Sequence, residues 1–210
     1  MPIFYENRKG DLHYLKVAIT KKGGKRYYIV KDKSKFKADE LLEELPQDFE
    51  FHEFPYDARV VLRKVLKSSI TDEEFSILNA VMKRHETVKD YIIDREKDAL
   101  LIYTAHLDRD LWDMLDDKLF RLTQSYNDKL RFEKNENDEY EAQRFCYLSR
   151  YYGWITLETS NDLQYLAEKY CYHIDKESLL EFWIEGEEEP EAMLVGEIEG
   201  SPIFGFLGNL

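Results

Sequence analysis

Between Ala58 and Thr104 the alternation of apolar and polar positions spells out strand, helix, strand, strand. Val60, Val61, Leu62 and Val65 form a β-branched run suited to a pleated, half-buried surface. Thr71-Asp72-Glu73-Glu74 is a capping box, in which the threonine hydroxyl accepts the Glu74 amide proton while the Glu74 carboxylate reaches back. Phe75, Leu78, Val81 and Met82 follow at helical spacing, which predicts a helix as far as His85 with one apolar face. Tyr91–Asp94 and Ala99–Thr104 read as two strands of a hairpin around the polar Arg95-Glu96-Lys97-Asp98.

Upstream, Leu12–Thr20 and Arg26–Lys31 are strand-like and flank Lys21-Lys22-Gly23-Gly24-Lys25, where glycine supplies the positive φ of a tight hairpin turn. Ala38–Leu45, acidic at its start and followed by Pro46, is predicted as a short helix. Phe49 and Phe51 alternate with Glu50 and His52 as a half-buried strand, and Pro55-Tyr56-Asp57 turns the chain into the next one. The element order suggests two β-α-β-β units.

Beyond Leu107 the period changes. Leu111, Leu115, Leu119, Leu122 and Tyr126 recur at three and four, predicting a long helix over Asp108–Asn127. Tyr140–Tyr147 and Trp154–Leu157 read as strands. Ser160 or Asn161 is the expected cap of a helix carrying Leu163, Leu166, Ala167 and Tyr170, and a last helix is expected over Asp175–Glu185. The acidic, proline-broken stretch Glu185–Glu191 precedes a tail with Ile203, Phe204, Phe206 and Leu207, too apolar to stand free in water. The class expected is therefore α+β, antiparallel sheets each covered by helices, with a helix-rich second half. The expected division is 1–105 with the basic hairpin, 106–186 as an acidic α+β domain, and 187–210 as linker and docking tail.

Composition narrows the function. A chain of 210 residues, 43% hydrophobic and 14% aromatic, can bury a substantial core. No apolar run approaches the ~18 residues of a membrane helix, which argues against a membrane role. Cys146 and Cys171 lie in predicted regular elements of a chain whose start has no secretory pattern, so free thiols in the cytoplasm are expected. The net charge of −13 is unevenly spread, with eleven Lys and Arg against three Asp and Glu in residues 1–37, and ten against twenty-four in residues 106–210. Such asymmetry suits different partners for the two ends.

Leu45-Pro46-Gln47-Asp48-Phe49-Glu50-Phe51-His52-Glu53, followed by Val60-Val61-Leu62-Arg63-Lys64, resembles a stretch in uncharacterised bacterial proteins. Arg144-Phe145-Cys146-Tyr147 with Gly153-Trp154 and the helix after it is similar to the same group. The resemblance implies a bacterial, cytosolic protein and brings no activity, ligand or functional residue with it.

Motifs for nucleotide binding and for an esterase-type nucleophile are missing: there is no Gly-x-x-x-x-Gly-Lys-Ser/Thr, no Gly-x-Gly-x-x-Gly and no Gly-x-Ser-x-Gly. Three candidate constellations remain. His106, Asp108 and Asp110 at the mouth of the predicted helix could converge on a divalent cation, although carboxylates there also suit the helix dipole. Lys21, Lys22, Lys25 and Arg26, with Tyr27 and Tyr28 beside them, could meet phosphates and stack bases, against the opposing charge of the whole chain. Asp113, Asp116 and Asp117 with the apolar Ile203, Phe204 and Phe206 could bind a basic or apolar protein surface. Cys171 beside His173 is a weaker pair, because a helix C-terminus disfavours a thiolate. The leading expectation is a cytoplasmic accessory protein without catalysis or cofactor, binding a protein partner or itself through its acidic half and tail. A metal-dependent enzyme and a nucleic-acid contact are the alternatives.

Overall fold

The computed structural model describes residues 1–107, 116–146 and 153–179. The chain is α+β, with three antiparallel sheets among the described residues. Strands β1 (Phe4–Glu6), β2 (Leu12–Ile19) and β3 (Lys25–Val30) make a three-stranded sheet in that order. The β2–β3 turn takes Gly23 to φ +80°, the left-handed region that the Gly-Gly pair predicted. Strands β4 (Phe49–Glu53) and β5 (Val60–Lys64) form a separate hairpin in which His52 faces Val61 and Phe51 faces Leu62.

The largest sheet is a meander of β6 (Tyr91–Arg95), β7 (Ala99–Ala105), β8 (Tyr126–Lys134), β9 (Tyr140–Cys146) and β10 (Gly153–Ser160), each strand hydrogen-bonded to the next. It draws β6 and β7 from before residue 106 and β8–β10 from after it, so the boundary expected there runs between two paired strands. Helix α1 (Asp72–Lys83) and helix α3 (Leu163–Cys171) share one core with this sheet: Leu78 and Met82 from α1, Leu166 and Ala167 from α3, and Leu100, Ile102, Leu130, Phe132 and Ala142 from β7, β8 and β9. Among the described residues no helix is long and apolar enough to cross a membrane.

The capping box of α1 forms as predicted, with the Glu74 amide donating to Thr71 Oγ1 at 3.2 Å and the Thr71 amide donating to Glu74 Oε2 at 2.6 Å. The same carboxylate pairs with Lys134 Nζ at 2.7 Å and accepts the Tyr140 hydroxyl, so the helix start is tied to β8 and β9. At the other end of α1, His85 Nε2 donates to the Cys171 carbonyl at 3.0 Å while its Nδ1 accepts the Val88 amide at 3.0 Å. These bonds assign the tautomer and join the C-termini of α1 and α3.

A bulge in β8 divides the sheet's two faces. Ile102 pairs with Leu130 but Tyr103 pairs with Asp128, leaving Lys129 as the extra residue. Leu130 and Phe132 therefore join the helix-side core, whereas Tyr126 joins Ala99, Leu101 and Tyr103 in a second cluster on the opposite face. Strand β7 is buried along almost its whole length because both faces are covered.

Four sequence expectations change. The Ala38–Leu45 helix is a single 3-10 turn, Ala38–Glu40, after which Leu41 bridges to Lys16 and the Leu42 amide donates to the Leu15 carbonyl. Pairing with the edge of β2 takes the segment away from the helix. The Asp108–Asn127 helix is, among described residues, only α2 (Asp117–Thr123); Tyr126 and Asn127 begin β8. Asp116 caps α2 by accepting the Lys118 and Leu119 amides, and Leu119 and Leu122 are 44% and 42% exposed while Phe120 is buried. Leu111 and Leu115 lie outside the described residues. The cap of α3 is Asp162, which accepts the Tyr165 amide at 2.9 Å, rather than Ser160 or Asn161. The described part of the second half is strand-rich rather than helix-rich, and of the expected Asp175–Glu185 helix only the turn Glu177–Leu179 falls within the described residues.

Candidate functional site

The face of the five-stranded sheet turned away from α1 and α3 meets the β4–β5 hairpin and leaves a cleft of about 350 Å³ between them. Its position depends on the turn between β4 and β5. The Phe54 amide donates to the Arg59 carbonyl, and the Ala58 amide donates to the Phe54 carbonyl. Ala58 takes φ +63°, and its carbonyl accepts Asn7 Nδ2 at 2.8 Å. A non-glycine residue in that region is strained, and the buried Asn7 holds it there. Arg8 fixes the same turn: its guanidinium pairs with Glu53 at 2.8 Å, donates to the Phe54 and Pro55 carbonyls, and lies 5.0 Å above the Tyr126 ring.

Held this way, Tyr56 reaches across to the sheet. Its hydroxyl donates to the Asp128 carboxylate, 2.9 Å from Oδ1 and 2.8 Å from Oδ2, and its ring meets Tyr103 edge-on at 5.5 Å. Phe145 and Trp154, from β9 and β10, form another edge-on pair at 5.1 Å, and His52 packs edge-on against Phe54 at 4.9 Å. These rings make the walls of the cleft.

Its carboxyl groups and imidazole come from the β6–β7 hairpin, β8 and β4. Asp94 and Glu96 are two apart in the β6–β7 hairpin, a spacing that sends both toward one face. Asp128 comes from β8 and His52 from β4. Burial raises the Asp94 pKa above the ordinary carboxylate range, against the lowering influence of His52 and Arg63. Burial raises Asp128 too, although the Tyr56 and Tyr103 hydroxyls favour its ionised form. Glu96 stands at the open rim, where partial loss of water and the Asp94 charge push it upward. His52 Nε2 is 3.9 Å from Asp94 Oδ2, too far for a hydrogen bond, and burial lowers its pKa so that the imidazole favours the neutral form.

Two arginines also line the cleft, and both are already engaged. Arg63 Nε donates to Glu50 at 2.8 Å, and Arg131 donates to Gln143 at 2.7 Å, pairs with Glu133 and stacks over Trp154 at 5.2 Å. Glu50 and Glu133 lie outside the cleft lining. The cleft thus combines carboxyl groups, a neutral imidazole and aromatic surface, a set that can hold a cation or exchange protons with a bound molecule.

The residues singled out in the sequence lie elsewhere. His106 is exposed, with its Nδ1 3.4 Å from Asn127 Nδ2; Asp108 and Asp110 lie outside the described residues. Among the described residues no three His, Cys, Asp or Glu side chains are placed to hold a metal ion. Lys21, Lys22, Lys25 and Arg26 are exposed at the β2–β3 end, but strand alternation separates the two tyrosines: Tyr27 packs on Phe49 at 5.8 Å while Tyr28 is exposed. Asp116 serves as the α2 cap and Asp117 opens the helix; Asp113, Ile203, Phe204 and Phe206 lie outside the described residues. Cys146 and Cys171 are free and buried, and burial pushes the Cys171 thiol up, away from nucleophile chemistry.

No spacing in the sequence groups His52, Tyr56, Asp94 and Asp128, because they lie on four separated segments. One signal was present: β6 carries Asp94 between Ile93 and Arg95 on the face where Ile92 and its neighbours are apolar. A carboxylate on an apolar strand face is the kind of position that folding alone does not favour. Comparison with known proteins finds no matching family model, no matching curated protein and no matching solved structure.

Proposed function

We propose that this protein binds a small organic molecule in the cleft between the β4–β5 hairpin and the five-stranded sheet, and that it serves as an accessory, ligand-binding protein. The observation that carries this reading is the pair of raised carboxyls, Asp94 and Asp128, set among aromatic walls around a space of about 350 Å³. Burying carboxylates opposes folding, and perturbed groups gathered in a cleft of ligand size are a mark of functional sites. Partner binding through the acidic half and the apolar tail calls on Asp113, Ile203, Phe204 and Phe206, which lie outside the described residues, and on Asp116 and Asp117, which stand at the start of α2.

The test is a thermal-shift screen of the intact protein against amines, amino acids, sugars, nucleosides and carboxylic acids. A compound that raises the melting temperature of the wild type and leaves Asp94→Asn unchanged supports the cleft. If every stabilising compound acts equally on both proteins, the cleft is not the site. One observation favours a second reading, acid–base catalysis on the bound molecule: a neutral His52 and a raised Asp94 stand 3.9 Å apart in the same cleft. Following each hit by NMR over hours with and without protein separates the two, since a catalyst changes the compound and a binder does not.

A further inference from the structure

We infer that the outer face of the β1–β2–β3 sheet binds single-stranded nucleic acid, stacking a base on Tyr28 and pairing phosphates with Arg26, Lys33 and the lysines of the β2–β3 turn. This site is separate from the cleft and independent of it. Strand alternation sorts the residues of the sheet into two faces. Tyr5 packs on Phe51 at 5.7 Å and Tyr27 on Phe49 at 5.8 Å, so the face that carries them lies against the β4–β5 hairpin. The register then sets Phe4 beside Tyr14, Lys16 beside Tyr28 and Ala18 beside Arg26 on the face turned away. Tyr28 is 46% exposed there, and among the described residues neither its ring nor its hydroxyl has a partner.

Cations flank that ring along the strand. Arg26 precedes it by two residues and is exposed. On its other side Lys33, in the 3-10 turn Lys33–Lys35 after β3, lies with its Nζ 5.3 Å over the Tyr14 ring. Of the basic residues in this part of the chain, Arg8, Lys16, Lys31 and Lys35 are paired with Glu53, Glu40, Asp11 and Asp32. Arg26, Lys33, Lys21, Lys22 and Lys25 have no carboxylate partner among the described residues. The carboxylates of the face are Glu40, already held by Lys16, and Glu6 at the far end opposite Leu12. At physiological salt a charge acts over about 8 Å, so a phosphate meets this local excess of cations rather than the net charge of −13. An acidic peptide would match the cations but bring no flat group to Tyr28, and a duplex keeps its base faces inside the stack. A single strand presents phosphates and bare base faces together, which is what a ring among unpaired cations fits.

The experiment is fluorescence anisotropy of the intact protein with a labelled twelve-nucleotide oligothymidylate in 50, 100 and 200 mM NaCl. The matching duplex, poly-glutamate and phosphatidylserine vesicles serve as competitors. The oligonucleotide should bind saturably, more weakly as salt rises, and the competitors should displace it poorly. Tyr28→Ala should weaken binding about tenfold, the stacking of one base, while Tyr28→Phe keeps it within about twofold. Arg26→Gln and Lys33→Gln should each weaken it about threefold or more and lower the slope of log affinity against log salt by about 0.7. Lys83→Gln, which removes a cation from the last turn of α1, should leave it unchanged. Circular dichroism melts of each variant confirm folding.

Absence of binding at 50 mM NaCl overturns the inference. Equal weakening by Lys83→Gln also overturns it, because the contact is then a diffuse one. Wild-type affinity in Tyr28→Ala, or ready displacement by poly-glutamate or vesicles, overturns it as well and marks the face as one for an acidic protein or an anionic lipid surface.

Discussion

Replacing Tyr56 by Phe removes one hydroxyl and keeps the ring that meets Tyr103. The lost group donates to both oxygens of Asp128, at 2.9 and 2.8 Å. A hydrogen bond to an ionised group contributes about 1.5–3 kcal/mol and one between neutral groups about 0.5–1.5 kcal/mol. Tyr56 is 47% exposed, so water takes over part of the lost bond. The expected destabilisation at neutral pH is therefore about 1–2 kcal/mol. Asp128 sets the pH dependence. Its pKa is raised in the folded state by burial, so the folded protein binds more protons than the unfolded chain over the interval between the two values. Stability falls as pH rises from the unfolded pKa of about 4 through the folded one, and the Tyr56 hydroxyl offsets part of that fall by favouring the ionised form. Near pH 4 and below, the cost of Tyr56→Phe should shrink to about 0.5–1 kcal/mol, since Asp128 is then protonated. Urea unfolding of wild type, Tyr56→Phe, Asp128→Asn and the double variant at pH 7 and pH 4 measures this. In the Asp128→Asn background the cost of losing the hydroxyl should also drop by half or more. An equal cost in both backgrounds and at both pH values would refute the coupling of the hairpin to the sheet through this bond.

Glu74→Ala removes the capping-box acceptor and leaves Lys134, whose side chain is 12% exposed, without its nearest carboxylate; a loss of about 3–4 kcal/mol in urea unfolding is expected. Burial opposes ionisation of Glu74, yet the bonds from Lys134, Tyr140 and Thr71 outweigh it and lower its pKa, so its stabilisation is present above the unfolded value of about 4.3 and is lost as pH falls through the folded one. His85 is lowered by burial, so NMR titration should place its midpoint below about 6.5, and its contribution to stability should decline as pH falls from there. His85→Ala should cost about 1–3 kcal/mol by leaving the Val88 amide without its acceptor and the Cys171 carbonyl with the Ile174 amide alone. Arg8→Ala should loosen the 54–59 turn, seen as faster amide hydrogen exchange at Ala58 and Arg59 with that of Leu100 and Ile102 unchanged.

Elements with complete local signals were legible in the sequence. The capping box sets the start of α1 whatever the rest of the chain does, and the Gly23 turn and the β6–β7 hairpin carry their own turn chemistry. Strand β8 was hidden because leucines at 115, 119 and 122 and Tyr126 fall at helical spacing, and because one of its alternating buried positions, 126, 128, 130 and 132, is occupied by the polar Asp128. The cleft was hidden for a different reason. His52, Asp94 and Asp128 become neighbours through strand pairing and hairpin docking, and no spacing along the chain records either. Local chemistry was legible where the partners lie within a few residues, and illegible where tertiary packing supplies them.

A ligand that enters between the hairpin and the sheet should perturb the residues lining that cleft and leave the helix-covered face alone. The deciding measurement is a titration of isotope-labelled protein, followed by amide and tryptophan-indole NMR, with a compound that stabilises the wild type but not Asp94→Asn in the thermal-shift screen. Saturable shifts are expected, confined to His52, Tyr56, Asp94, Tyr103, Asp128 and the Trp154 indole, with the α1 and α3 resonances still. Shifts scattered over the exposed carboxylates, or centred on the groove of Ser76, Ala80 and Gln164 between α1 and α3, would contradict binding in the cleft.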